Sequence, residues 1–437
     1  MTRKVLIEAN NLTFRQGTGI ATYAANLASA LVGLGYGVDA LIGTNRHIDT
    51  KDPLLSEVLL HDAVTHRPVL HRASLEWSWL AGLPLGMQAR RLKIGSTTAV
   101  HDDGRLRRFD TILAVRDLAD LARYHFNRYG SRVRLRIEDQ PDLFHATQAI
   151  PIRVPGCPNV YTIHDLVPLK LPHTTLDEKP YFLGMVREIA RRADHIITVS
   201  ECSRRDIIEL LDIPPSRVTN TYQSVHIPDQ LLSIPRDEIA NELARHFELE
   251  LGEYFLFIGA IEPKKNLSSL IDAYAASGVR RPLVIVGKPG WQYEDDLAKI
   301  ADERFLTYRL EDGVLKPMRR VRRLGYMPYA RLVALMRGAR AVAFPSLYEG
   351  FGLPVVEAML AGAPVLTSNV SSLPEVAGDA ALLVDPYDVD DIANGFASLD
   401  QDDDLCEELR NRGRLRAAEF SVERYKQRLH AIYARII

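Results

Sequence analysis

The spacing of apolar residues changes period several times along this chain. Lys4-Val-Leu-Ile7 is a short apolar run, Gly17-Thr-Gly-Ile20 follows, and from Ala21 to Leu34 apolar residues recur three and four positions apart. The first pattern predicts a strand and the last a helix with one buried face. Gly35-Tyr-Gly37 stops the helix, and Val38 to Ile42 is a second strand candidate. Strand, loop, helix and strand in that order open an α/β domain with a parallel sheet. Residues 45–140 mix His, Arg, Trp and Pro with weak periodicity and predict no particular element. Strands are then expected at Leu143-Phe-His145, Asn159–Ile163 and His195–Val199, with helices around Tyr181–Ala193 and Arg204–Leu211.

Prolines at 214, 215, 228 and 235 punctuate the middle of the chain, and a helix is expected near Asp237–His246. A second series of strands follows at Tyr254–Ile258, Leu283–Val286, Ala341–Phe344, Pro364–Leu366 and Ala381–Val384. These runs are continuously apolar, as strands covered by helices on both faces must be. The last segment, Val422 to Ile437, reads as a helix with Tyr425, Leu429, Ile432 and Tyr433 on its buried side. The expected class is therefore α/β, with two doubly wound parallel-sheet domains, residues 1–230 and 231–419. Ligands in such sheets bind outside the carboxyl ends of the strands, so two facing domains make a cleft.

Composition narrows the function. With 46% hydrophobic residues and a net charge of −2, the chain is neither disordered nor a nucleic-acid binder working by bulk charge. The first half holds 28 basic and 25 acidic residues and the rest 26 and 31, a mild preference for an anionic partner on the first half. Cys157, Cys202 and Cys406 stand singly, without metal spacing or a disulfide framework, as expected of reduced thiols. No apolar run approaches the roughly 18 residues of a membrane span, and the N-terminus lacks the features of a signal peptide. A cytoplasmic protein is expected, lying at most on a membrane surface.

The strongest chemical signal is Phe344-Pro-Ser-Leu-Tyr-Glu-Gly-Phe-Gly-Leu-Pro-Val-Val-Glu-Ala-Met359. A strand ends, a glycine-rich turn follows, and Pro354 suits the first turn of a helix. Free N–H groups there, beside glycines, make an anion cradle. Glu349 precedes the cradle and Glu357 lies about one turn into the helix. Eight helical steps would separate these carboxylates by roughly 12 Å, beyond the roughly 5–9.5 Å of glycosidase pairs, so two roles along one elongated ligand fit better than an acid/base pair. Gly259-Ala-Ile-Glu-Pro-Lys-Lys-Asn-Leu267 puts Lys264 and Lys265 at a helix start, where they oppose the macrodipole unless an anion such as a diphosphate reverses the penalty. Gly17-Thr18-Gly19 is a short glycine loop without the full dinucleotide fingerprint. His164 and Asp165 follow a strand, where cleft residues belong, although Asp165 also suits a helix N-cap. Asp388-Val-Asp390 and Asp402-Asp-Asp404 read as helix caps rather than a metal site, and Ser372-Leu-Pro-Glu375 as a capping box.

Lys264-Lys-Asn, Val286-Gly-Lys-Pro-Gly-Trp291, Leu324-Gly-Tyr326, the glutamate string 349–357 and Ser368–Asp379 together resemble the retaining glycosyltransferase family 4, in particular bacterial mannosyltransferases of O-antigen and surface-polysaccharide assembly. The resemblance is dense over 254–386, thinner at 17–23, 162–166 and 198–205, and weak over 45–140. It implies a GT-B fold, two Rossmann-like domains with a nucleotide-sugar such as GDP-mannose in the cleft. It implies that Glu349 holds the donor sugar's hydroxyls with the backbone of Phe351, Gly352 and Leu353, and that Glu357 binds the ribose. Lys265 would hold the diphosphate, Gly17–Gly19 would border it from the other domain, and His164 would lie near the transferred sugar. Gly259 and Ala260 stand where many relatives carry an arginine, so Lys264 or Arg204 is expected to share the phosphate charge. The final helix is expected to cross back onto the first domain. No cofactor or metal is implied, since lysine and helix N–H groups can stabilise the departing diphosphate.

A nucleotide-sugar epimerase on a similar fold, or a catalytically silent nucleotide-sugar-binding module, are the alternatives. The first would turn over without an acceptor; the second need not keep Glu349, Glu357 and Lys265 together. Residues 75–136 carry a further expectation. Trp77 and Trp79 precede Arg90, Arg91 and Lys93, and nine arginines lie between 105 and 136 against Asp110, Asp117 and Asp120. That composition suits peripheral contact with an anionic membrane and a lipid-linked glycan acceptor, or else a solvated, ion-paired face.

Overall fold

The computed structural model describes residues 2–13, 19–44, 52, 86–92, 106–311 and 314–437. Two separate sheets organise them. The first runs in the order Val218–Asn220, His195–Thr198, Asn159–Thr162, Leu143–Ala146, Lys4–Glu8, Gly37–Thr44, Thr111–Arg116 and Arg90–Leu92. All neighbours are parallel except the last pair. The second is wholly parallel, in the order Val321–Leu324, Leu283–Val286, Phe255–Ile258, Ala341–Phe344, Val365–Ser368 and Leu382–Val384. The continuously apolar strands have the burial their sequence demands: every residue of Leu143–Ala146, Phe255–Ile258, Leu283–Val286 and Ala341–Phe344 is buried.

The helices pack on these faces through amphipathic stripes. In the helix Gly19–Gly33, Tyr23, Ala24, Leu27, Ala28 and Leu31 are buried. The helix Val422–Ile436 leaves the second sheet's half of the chain and packs against that first helix. Its Tyr425, Leu429, Ile432 and Tyr433 join Val5, Leu27 and Leu31 in one core, and Tyr433 Oη lies 2.6 Å from His145 Nδ1.

Two regions went unread in the sequence. Between 45 and 140 the described residues include the strand Thr111–Arg116, the helix Leu118–Tyr129 and the strand Val133–Arg136. An antiparallel hairpin, Leu306–Glu311 with Val314–Arg319, stands apart from the second sheet. No helix among the described residues is long and apolar enough to cross a membrane.

Candidate functional site

In both sheets the strand order reverses beside the strand where the series begins, which is where α/β sheets bind ligands. In the second sheet the reversal separates Phe255–Ile258 from Ala341–Phe344. These strands pair only at Phe255↔Ala341 and Leu256↔Val342, so their carboxyl ends part. One end leads into the turn Pro263–Lys265 and the helix Leu267–Ala276; the other leads through Glu349 to the helix Leu353–Ala361. Lys265 Nζ and Glu349 Oε1 meet across that gap at 2.6 Å, both largely buried. The ammonium also lies 4.9 Å from the centre of the Phe344 ring.

The electrostatics follow from this arrangement. Burial works to raise the Glu349 carboxyl, but the Lys265 and Lys264 charges outweigh it and hold the group below its ordinary range. Burial pulls the Lys264 ammonium down, and Glu349, Asp165 and Glu262 more than reverse that, leaving it above the ordinary lysine range. Lys264 Nζ stands 3.6 Å from Glu262 Oε1. The chain itself already places anions beside these lysines, Glu349 at Lys265 and Glu262 at Lys264, and Asn266, not a lysine, occupies the cap of the following helix.

The turn after Glu349 is held tightly. Gly352 has φ +103° and a Cβ there would lie 2.7 Å from Leu373 Cδ2, so only glycine fits. Ser372 Oγ faces the carbonyls of Glu349 and Phe351 at 2.9 and 3.0 Å. The capping-box reading of Ser372–Glu375 fails, because Ser372 has helical dihedrals and spends its hydroxyl on this turn. Glu375 instead crosses to the other half of the molecule, where its carboxylate accepts from the main-chain N–H groups of Glu201 and Cys202 at 2.6 and 2.8 Å. It thereby caps the helix Glu201–Leu211 from outside.

The first sheet supplies the facing wall. His164 follows the strand Asn159–Thr162; its Nε2 lies 2.9 Å from the Thr147 carbonyl, and its ring meets Tyr23 edge-on at 4.8 Å. Burial pushes its imidazole below the ordinary range, partly offset by the Thr147 hydrogen bond and Asp165, so it is neutral at pH 7. A Cβ on Gly350 would lie 2.8 Å from the His164 carbonyl oxygen and 2.9 Å from Asp165 Oδ2. The glycine turn therefore lies directly against His164 and Asp165. Gly19 lies close to Leu353, whose Cδ1 would be 3.6 Å from a Cβ at Gly19; Gly17 and Thr18 lie outside the described residues. Asp165 Oδ1 accepts from Val167 N at 3.1 Å, but the helix Val167–Lys170 has its N-cap at Leu166, one position after the cap expected at Asp165.

Glu357 sits half-buried in the helix Leu353–Ala361 and accepts from Tyr329 Oη at 3.0 Å. Burial raises its carboxyl to about 7, and the Tyr329 hydrogen bond lowers it less. Three further contacts across the halves were not legible in the sequence. Tyr348 Oη donates to Asp206, which also pairs with Lys170 at 2.8 Å. Ser203 Oγ reaches the Gly350 carbonyl at 3.3 Å, and Trp291 Nε1 the Thr174 carbonyl at 2.9 Å. Arg204 donates to the carbonyls of Val218 and Pro215 at 2.9 and 3.1 Å and lies 3.6 Å from Glu201.

Asp388 and Asp402 cap helices through their side chains, and no His, Cys, Asp or Glu group suited to a metal occurs among the described residues. In the arginine-rich stretch, Trp77, Trp79, Lys93 and Arg105 lie outside the described residues. Arg108 donates to Ser29 at 2.9 Å, Arg116 pairs with Asp117 at 3.1 Å, and Arg123 pairs with Glu178 at 2.9 Å. Arg132 reaches Tyr161 Oη at 3.0 Å, whereas Arg134 and Arg136 are exposed.

Residues 240–416 match the family described as "Glycosyl transferases group 1", and residues 98–226 match "Glycosyltransferase Family 4". The chain is 37% identical over 269 residues to O-antigen chain mannosyltransferase B of Escherichia coli, an alignment covering 60% of this chain and 67% of that protein. It is 30% identical over 282 residues to the serotype-specific mannosyltransferase WbdA of the same organism, covering 63% of this chain but only 33% of WbdA. The chain thus spans about two thirds of one relative and about a third of the other. Among solved structures, HepE of Anabaena in complex with UDP and glucose superposes with a TM-score of 0.65 at 16% identity, over 99% of both chains. A sucrose-phosphate synthase from Thermosynechococcus elongatus superposes with a TM-score of 0.62 at 19% identity, over 100% of this chain and 99% of that one. These likenesses show the two-sheet GT-B fold.

Proposed function

The chain belongs to the glycosyltransferases of group 1 and family 4, and from that premise we propose that it moves mannose from GDP-mannose to a growing glycan of a surface polysaccharide, with retention at the transferred carbon. The observation that carries the reading is the Lys265–Glu349 pair at the parted strand ends, pressed through Gly350 against His164 and Asp165. The mannose assignment is supported by the mannosyltransferases named above.

In this reading the donor's diphosphate takes Lys265, with Lys264 close by and Gly17–Gly19 bordering it, and the start of the helix Leu353–Ala361 faces the phosphates. A cation and helix N–H groups stabilise charge developing on the departing oxygens, so no metal or other cofactor is needed. Losing Lys265 frees the Glu349 carboxylate, two acceptor oxygens, to take sugar hydroxyls beside the backbone of Phe351, Gly352 and Leu353. Glu357 takes the ribose. His164, neutral at pH 7, offers a lone pair rather than a charge to the transferred sugar. The acceptor is a glycan on a lipid carrier, met at the first sheet's side of the cleft, with the enzyme lying on the inner face of the cytoplasmic membrane.

The test is a panel of nucleotide-sugars scored first by thermal stabilisation, since a ligand that binds only the folded state raises its melting temperature, and then by transfer to a mannan acceptor with chelator present. GDP-mannose should stabilise most and support transfer. Stabilisation by a different donor alone, turnover without an acceptor, or loss of activity to the chelator would each overturn the corresponding part.

A further inference from the structure

At the carboxyl edge of the first sheet lies a buried acid that the proposed chemistry does not use. Glu8 ends the central strand Lys4–Glu8 and is fully buried. It stands where the strand order reverses, between Leu143–Ala146 on one side and Gly37–Thr44 on the other. Its Oε1 accepts from Asn10 N at 3.1 Å and from Gln148 Nε2 at 3.2 Å. Asn10 Oδ1 in turn accepts from Gly43 N at 2.9 Å. One carboxyl thus ties together the ends of three neighbouring strands, and among the described residues its hydrogen-bond partners are Asn10, Thr147 and Gln148, none of them a cation.

The remaining contact favours the protonated acid. Thr147 Oγ1 lies 2.8 Å from the Glu8 main-chain oxygen and 3.0 Å from Glu8 Oε2. A hydroxyl has a single proton and cannot serve both acceptors. If Glu8 carries a proton on Oε2, it donates to Thr147 Oγ1, which donates to the Glu8 carbonyl, and every group is satisfied. Burial pushes the Glu8 carboxyl in the same direction, against hydrogen bonds from Asn10, Thr147 and Gln148. The turn so held presents the Thr147 carbonyl to His164 Nε2 at 2.9 Å. A carbonyl only accepts, so Nε2 must carry the imidazole proton, and Nδ1 keeps the lone pair.

We infer that Glu8 is a positioning residue that acts on His164 through Thr147, fixing which imidazole nitrogen offers its lone pair to the ligand. The consequence for transfer rests on the proposed function; the tautomer itself does not.

The experiment is two-bond 15N–1H correlation spectroscopy of the 15N-histidine-labelled full chain, whose pattern separates Nε2–H from Nδ1–H rings. His164 is picked out among the 13 histidines by its loss in His164→Gln. The unmodified chain should show an Nε2–H ring. Glu8→Gln should keep the pattern and most of the transfer activity, because an amide can donate to Thr147 and accept from Asn10 in the same places. Glu8→Ala and Thr147→Val should each shift His164 toward a mixed tautomer. They should lower kcat on the order of tenfold to a hundredfold with little change in donor KM, the scale of a slightly misplaced group. If Glu8→Ala does not fold, Thr147→Val, which keeps the side-chain shape, decides. An unchanged His164 pattern in Thr147→Val, or a loss in Glu8→Gln equal to that in Glu8→Ala, overturns the inference. A tautomer shift in a chain that transfers no sugar from any donor supports it and overturns the proposed function instead.

Discussion

Lys265 and Glu349 test the site most directly. If Lys265 holds the diphosphate as proposed, Lys265→Ala should cost about 1.5–3 kcal/mol of nucleoside diphosphate affinity, the scale of a charge-assisted hydrogen bond, and little of nucleoside affinity. Calorimetry with both ligands checks it; equal losses would remove Lys265 from the phosphates. Glu349→Gln should leave the melting temperature nearly unchanged and sharply lower transfer at saturating donor, because the amide keeps one acceptor oxygen where the carboxylate has two. Glu357 makes a different prediction. Its carboxyl is raised to about 7 from an ordinary 4.5, so the folded chain holds a proton that the unfolded chain has released. Stability therefore falls as pH rises from about 4.5 to about 7 and levels off above that. Thermal denaturation over that range should show a component that Glu357→Gln abolishes. Lys265, Glu349 and Glu357 were all legible in the sequence, because they sit at fixed offsets from a strand end and a glycine turn. Glu8 was not, because a lone acid ending an apolar run carries no local signal; its partners Thr147 and Gln148 are about 140 residues away.

Elements were legible where burial imposes a plain pattern on the sequence, either an unbroken apolar run or an apolar stripe. The strands buried on both faces announced themselves as apolar runs, and the helices Gly19–Gly33 and Val422–Ile436 by their stripes. The hairpin Leu306–Glu311 with Val314–Arg319 did not, because Tyr308 and Leu315 are exposed and its charges alternate with apolar residues. Ser372–Glu375 was misread for a related reason. The spacing of a capping box is the same whether the glutamate turns back on its own helix or reaches out to another. The helix Leu353–Ala361 depends on a single backbone conformation. Gly352→Ala forces a side chain into φ +103° and against Leu373, which should cost about 1–3 kcal/mol. Because the strain falls on the turn beside Glu349, transfer should drop further than the melting temperature suggests. Chemical denaturation alongside kinetics checks both parts.

Across the whole molecule, the two halves are joined by side chains distant in sequence: Glu375 on the helix start at Glu201, Tyr348 on Asp206, and Trp291 on Thr174. Glu375→Ala leaves two helix-start N–H groups without their carboxylate, a loss of about 1.5–3 kcal/mol for charged hydrogen bonds. Small-angle scattering should show a larger radius of gyration in the ligand-free variant and a return to the parent value with donor bound; an unchanged radius would show that the other contacts suffice. The Lys265–Glu349 contact has a consequence for selectivity. Glu349 acts as a tethered competitor for Lys265, at an effective concentration that a free anion in solution must overcome. A diphosphate alone would take the lysine and strand a buried carboxylate. A free sugar would need the carboxylate while it is still engaged. In the proposed reading only a molecule carrying phosphates and sugar hydroxyls together satisfies both partners at once, and the apo pair would then discriminate against fragments of the donor.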